Sequence, residues 1–410
     1  MTIHLLRAAA CAAALFPWQA HAAPLSIATA LDLAVQRSEA ARAGRAGLQG
    51  AAEAARAAGQ LPDPTLSAGV DNLPVTGSDR LHTARDSMTM KRLGLSQEWV
   101  SRDKRAARSR AAQAAVERQA VAVDAAIAET RLQTALAYVD AYYAGQALEL
   151  TTLAEHHAHE ELEAARARLA SAAGSSQEVL ALAGMLSTVE DESAEVRQQQ
   201  NAARVQLERW SGTRAGELLE PEGKPLPEEP GYVASHPIVA GLRRDAELAR
   251  SEAAVTAGNA DPNWTWGVSY GQRTGYSDML SFGVSIPIPL RKAERQDRDT
   301  AARLALAIKA EADLAEATRA ASAEYRGLAS DAQRLQERID RWRSGVAVAA
   351  SQRSAVALAS YGSNLTPLMT LFEARHAELA SQRRLLGLQR ELAKIRAQLL
   401  YRPMLAGAAP

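Results

Sequence analysis

Glu155-His156-His157-Ala158-His159-Glu160 is the densest group of potential ligand side chains in the chain. On a helix His156 and His159 share a face at i,i+3, and with a nearby carboxylate they could hold a divalent cation. A solvated helix face explains the same residues. Glu190-Asp191-Glu192 likewise reads as an exposed, charged turn of helix. His82, His236 and His376 stand apart, and the single cysteine, Cys11, falls in a leader-like N-terminus. Beyond that leader the chain has no thiol, so disulfides, thiol chemistry and thiolate metal sites are excluded. No catalytic constellation emerges. The expectation is a protein that is not an enzyme and needs no cofactor.

The other chemically informative residues lie at two turns. Gly174, Ser175 and Ser176 interrupt one long helical run, and Tyr361, Gly362, Ser363 and Asn364 interrupt a second. Gly174 and Gly362 are predicted to take the positive φ that ends a helix. Ser175, Ser176, Ser363 and Asn364 can cap the free N–H groups of the helices that follow.

The elements carrying these turns are long. Of 410 residues, 90 are Ala and only 3 are Phe, with 47 Lys and Arg against 47 Asp and Glu. Apolar character drawn mainly from Ala indicates closely packed long helices instead of ordinary globular cores. Charge near zero removes a general electrostatic case for nucleic acid. Residues 1–23 read as a secretory signal: Arg7, an apolar stretch from Ala8 to Phe16, and Ala20-His21-Ala22 as a cleavage site. Cys11 comes too early for a lipid-anchored cysteine. Beyond this segment no apolar run is long enough for a transmembrane helix.

A repeat of about 190 residues organises the rest. Asp63-Pro64 is echoed by Asp261-Pro262, Gly94-Leu95-Ser96 by Gly283-Val284-Ser285, and Ala170 to Ser175 by Ala359 to Ser363. The copies span 24–211 and 237–402, with a proline-rich linker at 212–236 and a tail at 403–410. Each copy reads as helix, two strands, very long helix, turn, helix. The first has a helix over 26–59, strands near 65–73 and 88–99, a long helix over 104–173 and a helix over 177–210. The second has a helix near 237–257, strands near 263–271 and 278–290, a long helix over 292–361 and a last helix over 366–402. The first long helix would extend roughly 105 Å at 1.5 Å per residue.

The strands alternate strictly. Trp264, Trp266, Val268 and Tyr270 alternate with small polar residues, as do Leu280, Phe282, Val284 and Ile286. One apolar and one small polar face suit strands that cross a bilayer, with aromatic residues at the interfaces. Leu66, Ala68, Val70, Leu93, Leu95 and Trp99 make a weaker version, with Lys91 and Arg92 blurring its start. Four strands cannot close a barrel, since about eight is the minimum. Copies must therefore pool strands: two give eight, three give twelve, four give sixteen.

In this order the duplicated unit, the Asp-Pro pairs, Ser235-His236-Pro237, Pro287 to Arg291 and the Tyr361 to Leu365 turn resemble the TolC family of outer-membrane efflux channels. The Ala-rich sequence is most similar to the heavy-metal (CzcC- and CusC-like) branch. The resemblance implies a mainly α chain with transmembrane β: a homotrimer whose 12-stranded β-barrel in outer-membrane lipid continues as a periplasmic α-helical barrel. It implies partnership with a periplasmic adaptor (membrane fusion protein) and an inner-membrane RND-type pump. It implies passive conduction, with drug efflux or type I secretion as other duties of the fold. The turns at Gly174 and Gly362 would form the periplasmic tip, where the adaptor docks and the pore closes. Some relatives line that closure with aspartates; here Leu365, Leu368 and Leu371 stand nearby, and an apolar pore constriction is expected. A soluble periplasmic coiled-coil scaffold is the alternative of a different class.

Overall fold

A computed structural model describes residues 24–404 except Ala215 and Asn364. The leader with Cys11, the turn residue Asn364 and the tail beyond Met404 lie outside the described residues. Ser26 caps α1 (Ile27–Arg37), its hydroxyl accepting from the Thr29 N–H at 3.2 Å. The helix expected over 26–59 is broken at Ser38, whose ψ of 107° is extended, and resumes as α2 (Glu39–Ala58). β1 (Thr65–Asp71) and β2 (Met90–Trp99) follow, then α3 (Arg102–Ala170), 69 residues without a proline, and α4 (Ser176–Ser211).

The linker is not featureless. Leu218 pairs in parallel with Leu25, and α5 (Glu229–Ala234) occupies its end. Next come α6 (Pro237–Gly258), β3 (Trp264–Gln272) and β4 (Met279–Ser285). β4 stops short of the expected 290 because Pro287 and Pro289 have no N–H to give a ladder. The second long helix starts later than 292, after a 3₁₀ turn at Lys292–Glu294. It runs as α7 (Gln296–Arg341), a π-helical turn at Trp342–Val346, and α8 (Ala347–Gly362); α9 (Leu368–Tyr401) completes the chain. The π turn carries the Trp342 indole, whose Nε1–H donates to the Ser381 carbonyl of α9 at 3.1 Å.

Two compact units form, and neither coincides with a sequence repeat. Among the described residues, one takes the stretch up to Ser38, Glu129–Pro227 and Gly327–Arg402; the other takes Glu39–Ala128, Glu228–Arg326 and the residues after Arg402. Among the described residues, the regular elements of the first unit are helices, apart from the Leu25–Leu218 bridge. Its largest cluster packs Leu31, Leu132, Tyr138, Leu207 and Tyr401 among Ala30, Ala135, Ala137, Ala141 and Ala397. Small side chains on the facing surfaces let helix backbones approach closely, as the composition requires. Charged contacts are partly buried here: Arg375 pairs with Glu161 at 3.0 Å, and Asp140 accepts from both Arg390 and Lys394. Burial pushes the Glu161 carboxyl above the usual carboxylate range, against the opposing pull of Arg375.

Tyr138 joins α3 to the bridge. Its fully buried hydroxyl lies 2.6 Å from the Leu25 carbonyl and 2.7 Å from that of Leu219, the two sharing its proton. Burial pushes the phenol up to about 12. Raised above its ordinary 10.0, it supports the fold fully below pH 10 and loses that support as pH climbs to about 12. Replacing Tyr138 with Phe deprives buried carbonyls of a donor. Chemical unfolding should show a loss of about 1–3 kcal/mol, and no loss would separate the hydroxyl from the stability of this cluster.

Candidate functional site

The second unit holds a single antiparallel sheet in the order β1-β2-β3-β4. β2 and β3, one from each sequence repeat, pair along Lys91 to Trp99 against Trp264 to Gln272. The register sorts the side chains. Directly opposed residues share a face, so Leu66, Leu95, Val268 and Phe282 form one rung, and Ala68, Leu93, Tyr270 and Leu280 the next. Trp266 and Val284 continue this face, and Trp99 lies opposite Trp264 with ring centroids 6.4 Å apart. The other face carries Thr65, Ser96, Gly267 and Gly283, then Ser67, Gly94, Ser269 and Ser281.

The apolar face is bare. Phe282 is 79% exposed, and Leu66, Leu93, Leu95, Trp264, Trp266, Tyr270, Leu280 and Val284 are exposed as well; Val268 is half-buried. Ile286 is also exposed but lies one residue past the end of β4, so it continues the apolar band without belonging to the strand. Both edge strands are open throughout the described residues.

A residue that sequence reasoning did not single out ties the strands together at their helical end. Lys104, in the first turn of α3, is buried. Its ammonium donates to the Asp261 carbonyl and to Asn263 Oδ1, while Asn263 donates to Glu98 at 2.7 Å. Burial, reinforced by Arg108, lowers its affinity for the proton, and Asp261 and Glu98 work the other way. The contact fastens the Asp-Pro turn before β3 to the end of β2. The Asp261-Pro262 motif was the visible half of it; the lysine gave no pattern of its own.

The two turns come together in the first unit. Arg168, Ser175 and Glu178 from one and Leu365, Thr366 and Pro367 from the other line an open depression. The Arg168 guanidinium sits 5.9 Å from the Tyr361 ring. Ser175 caps α4 as expected, accepting from the Glu178 N–H at 3.1 Å; Ser176 is the first residue of that helix. The glycines differ from expectation. The left-handed residue of the first turn is Ala172 (φ 57°), and the Ala173 N–H reaches back to the Arg168 carbonyl at 2.9 Å. Gly174 is needed for space: a Cβ there would stand 3.0 Å from the Leu169 nitrogen. Gly362 has no positive φ, ends α8 in helical conformation, and a Cβ there would meet nothing within 4 Å. The Ser363 N–H donates to Ala359 instead.

Leu368 and Leu371 are buried with Leu162, Leu182, Leu186 and Phe372, where they pack helices of the one chain against each other. Of the three leucines only Leu365 is exposed. The histidines are dispersed among carboxylates: His156 and His157 each approach Glu160 at 3.2 Å, while His159 faces Glu190 at 3.5 Å. His156 and His159 thus turn to different carboxylates. Among the described residues no group of three His, Cys, Asp or Glu side chains is placed to hold a metal ion.

No described helix is long and apolar enough to cross a membrane. Sequence comparison finds no matching family model and no matching curated protein. Solved structures do match. The outer membrane protein VceC from Vibrio cholerae is similar over 92% of this chain and 95% of its own, with 20% identity and a TM-score of 0.76. The Campylobacter jejuni CmeC outer membrane channel covers 92% of this chain and 85% of its own at 13% identity and a TM-score of 0.78. CusC, described by its transmembrane channel formation, covers 94% of each chain at 15% identity and a TM-score of 0.75. Long helices, the paired turns and the four-stranded sheet together make this a TolC-like, outer-membrane-channel fold.

Proposed function

We propose that the chain is one subunit of an outer-membrane exit duct serving a tripartite efflux system, conducting substrate passively while a partner pump supplies energy. The observation that carries this reading is the open sheet, apolar and exposed on one face, small and polar on the other, with two free edges. In lipid each unpaired edge group would cost several kcal/mol, so the edges must pair with other copies. Three copies give the twelve strands of the family the chain resembles. Exposed Leu304, Leu306 and Ile308 on α7 offer further apolar surface for neighbouring copies. The helical portion then extends into the periplasm, with the paired turns as the tip that meets the adaptor and the inner-membrane pump. Gly174, Ser175, Ser176, Tyr361, Gly362, Ser363 and Asn364 are assigned to that docking surface, and exposed Leu365 to the constriction.

This assignment makes the protein recoverable from outer membranes only with detergent, at a mass about three times that of the chain. A folded monomer in the aqueous periplasmic fraction would favour the coiled-coil scaffold and end the duct reading.

For cargo we assign heavy-metal cations, on the sequence resemblance to that branch. The small hydroxyl-bearing face of the sheet suits a wet lumen that releases what it carries. Deleting the gene should lower tolerance to zinc, cadmium, cobalt, copper or silver. Drug hypersensitivity with unchanged metal tolerance would assign the duct to drugs.

The tip can be probed without touching the barrel. Gly174→Ala crowds the last turn of α3 and should destabilise the turn by about 1–3 kcal/mol, reducing efflux while trimers still form. Gly362→Ala fills open space in a helical conformation and should leave thermal stability unchanged. Ala172→Gly relieves a left-handed alanine and should raise thermal stability by about 1 kcal/mol. Efflux equal to wild type from the Gly174 variant would detach the first turn from adaptor coupling.

A further inference from the structure

On the apolar face of the sheet one strand position carries charge. Lys91 shares its rung with Val70 and Gln272, below the rung of Ala68, Leu93, Tyr270 and Leu280. It is exposed, and among the described residues its ammonium has no hydrogen-bond or ion-pair partner. Its neighbour Arg92 points to the opposite face and is paired with Asp71 at 3.1 Å. The loop before it balances Arg80 and Arg85 with Asp79 and Asp86. An unpaired ammonium on an otherwise apolar surface is costly unless it lies where that surface ends.

Its height fits such a boundary. From the Trp99–Trp264 rung to the Lys91–Gln272 rung is eight residues along β2 (99 less 91). At about 3.4 Å per residue that is about 27 Å along the strand, or about 21 Å across a layer at a tilt near 40°. The apolar band of outer-membrane barrels is about 25 Å tall. The tryptophan pair and Lys91 therefore stand at its two margins. All four strands meet the helices at the tryptophan end; the loops 72–89 and 273–278 lie at the Lys91 end. Gln272, exposed and directly opposite Lys91, adds an amide donor to the same rung.

We propose that Lys91, with Gln272 beside it, is a docking point for the phosphate of a lipid headgroup in the leaflet at the loop end of the sheet. The occupant is a phosphorylated lipid because the ammonium lies on the lipid-facing side, at headgroup depth, with no anion of the protein to neutralise it. The proposal rests on the membrane reading above.

The test uses the full assembly reconstituted in phosphatidylethanolamine bilayers doped with lipid A or with its dephosphorylated form, followed by native mass spectrometry of retained lipid. Wild-type protein should retain lipid A in preference to the dephosphorylated form. Lys91→Gln should retain about fivefold less, the effect of one lysine at an anionic surface. Lys91→Arg should restore retention, and Arg85→Gln, in the balanced loop, should leave it unchanged. Assembly mass and heat stability of each variant report folding independently. Equal retention by wild type and Lys91→Gln, or no preference for the phosphorylated lipid, overturns the proposal and leaves the duct intact. Failure of the wild type to enter any bilayer overturns the membrane reading, and this site with it.

Discussion

Backbone groups on the outer edges of β1 and β4 have no partners within the sheet, and in lipid they must find some. That requirement governs the rest of the arrangement. A soluble sheet could leave its edges to water, but one whose apolar face is bare over nearly every rung belongs beside hydrocarbon. The pairing of β2 with β3 joins strands from the two sequence repeats, and the buried Lys104 holds the starting point of β3 against the end of β2. The chain thus presents a preformed four-strand segment with β1 and β4 as its open edges.

The helical unit solves a different packing problem with different residues. Its clusters interleave leucine with alanine, and Tyr138, Tyr401 and Phe372 supply the aromatic volume. Polar contacts add to this packing: Glu161 with Arg375 and Asp140 with two cations join α3 to α9, and Tyr138 ties α3 to the carbonyls of Leu25 and Leu219. Leu368 and Leu371 belong to this packing, because the helix they open is held in place by burying them. The exposed residues at the paired turns are therefore Leu365, the serines and the surface of the short connections.

The compact units cut across the sequence repeats for a simple reason. A repeat is a property of order along the chain, whereas compactness follows contacts made through space. α3 supplies Arg102 to Ala128 to one unit and the remainder to the other, so a single helix from one repeat serves both. The linker up to Pro227 contributes the bridge of Leu218 with Leu25 and packs against the core of the first unit, while its end from Glu228 falls in the second.

Local pattern alone determined the element types and the two faces of the strands. Period-two alternation acts between neighbours, alanine-rich runs without proline propagate as helix, and both signals survive any tertiary context. Tertiary structure decided what depends on distant neighbours: the break at Ser38, the burial of Leu368 and Leu371, the space that demands Gly174, and the role of Lys104. It also moved the left-handed turn to Ala172, where the reach of Ala173 back to Arg168 sets the conformation in place of glycine's freedom. Residue type states what a position can tolerate; which tolerance is used is settled by the atoms that arrive beside it.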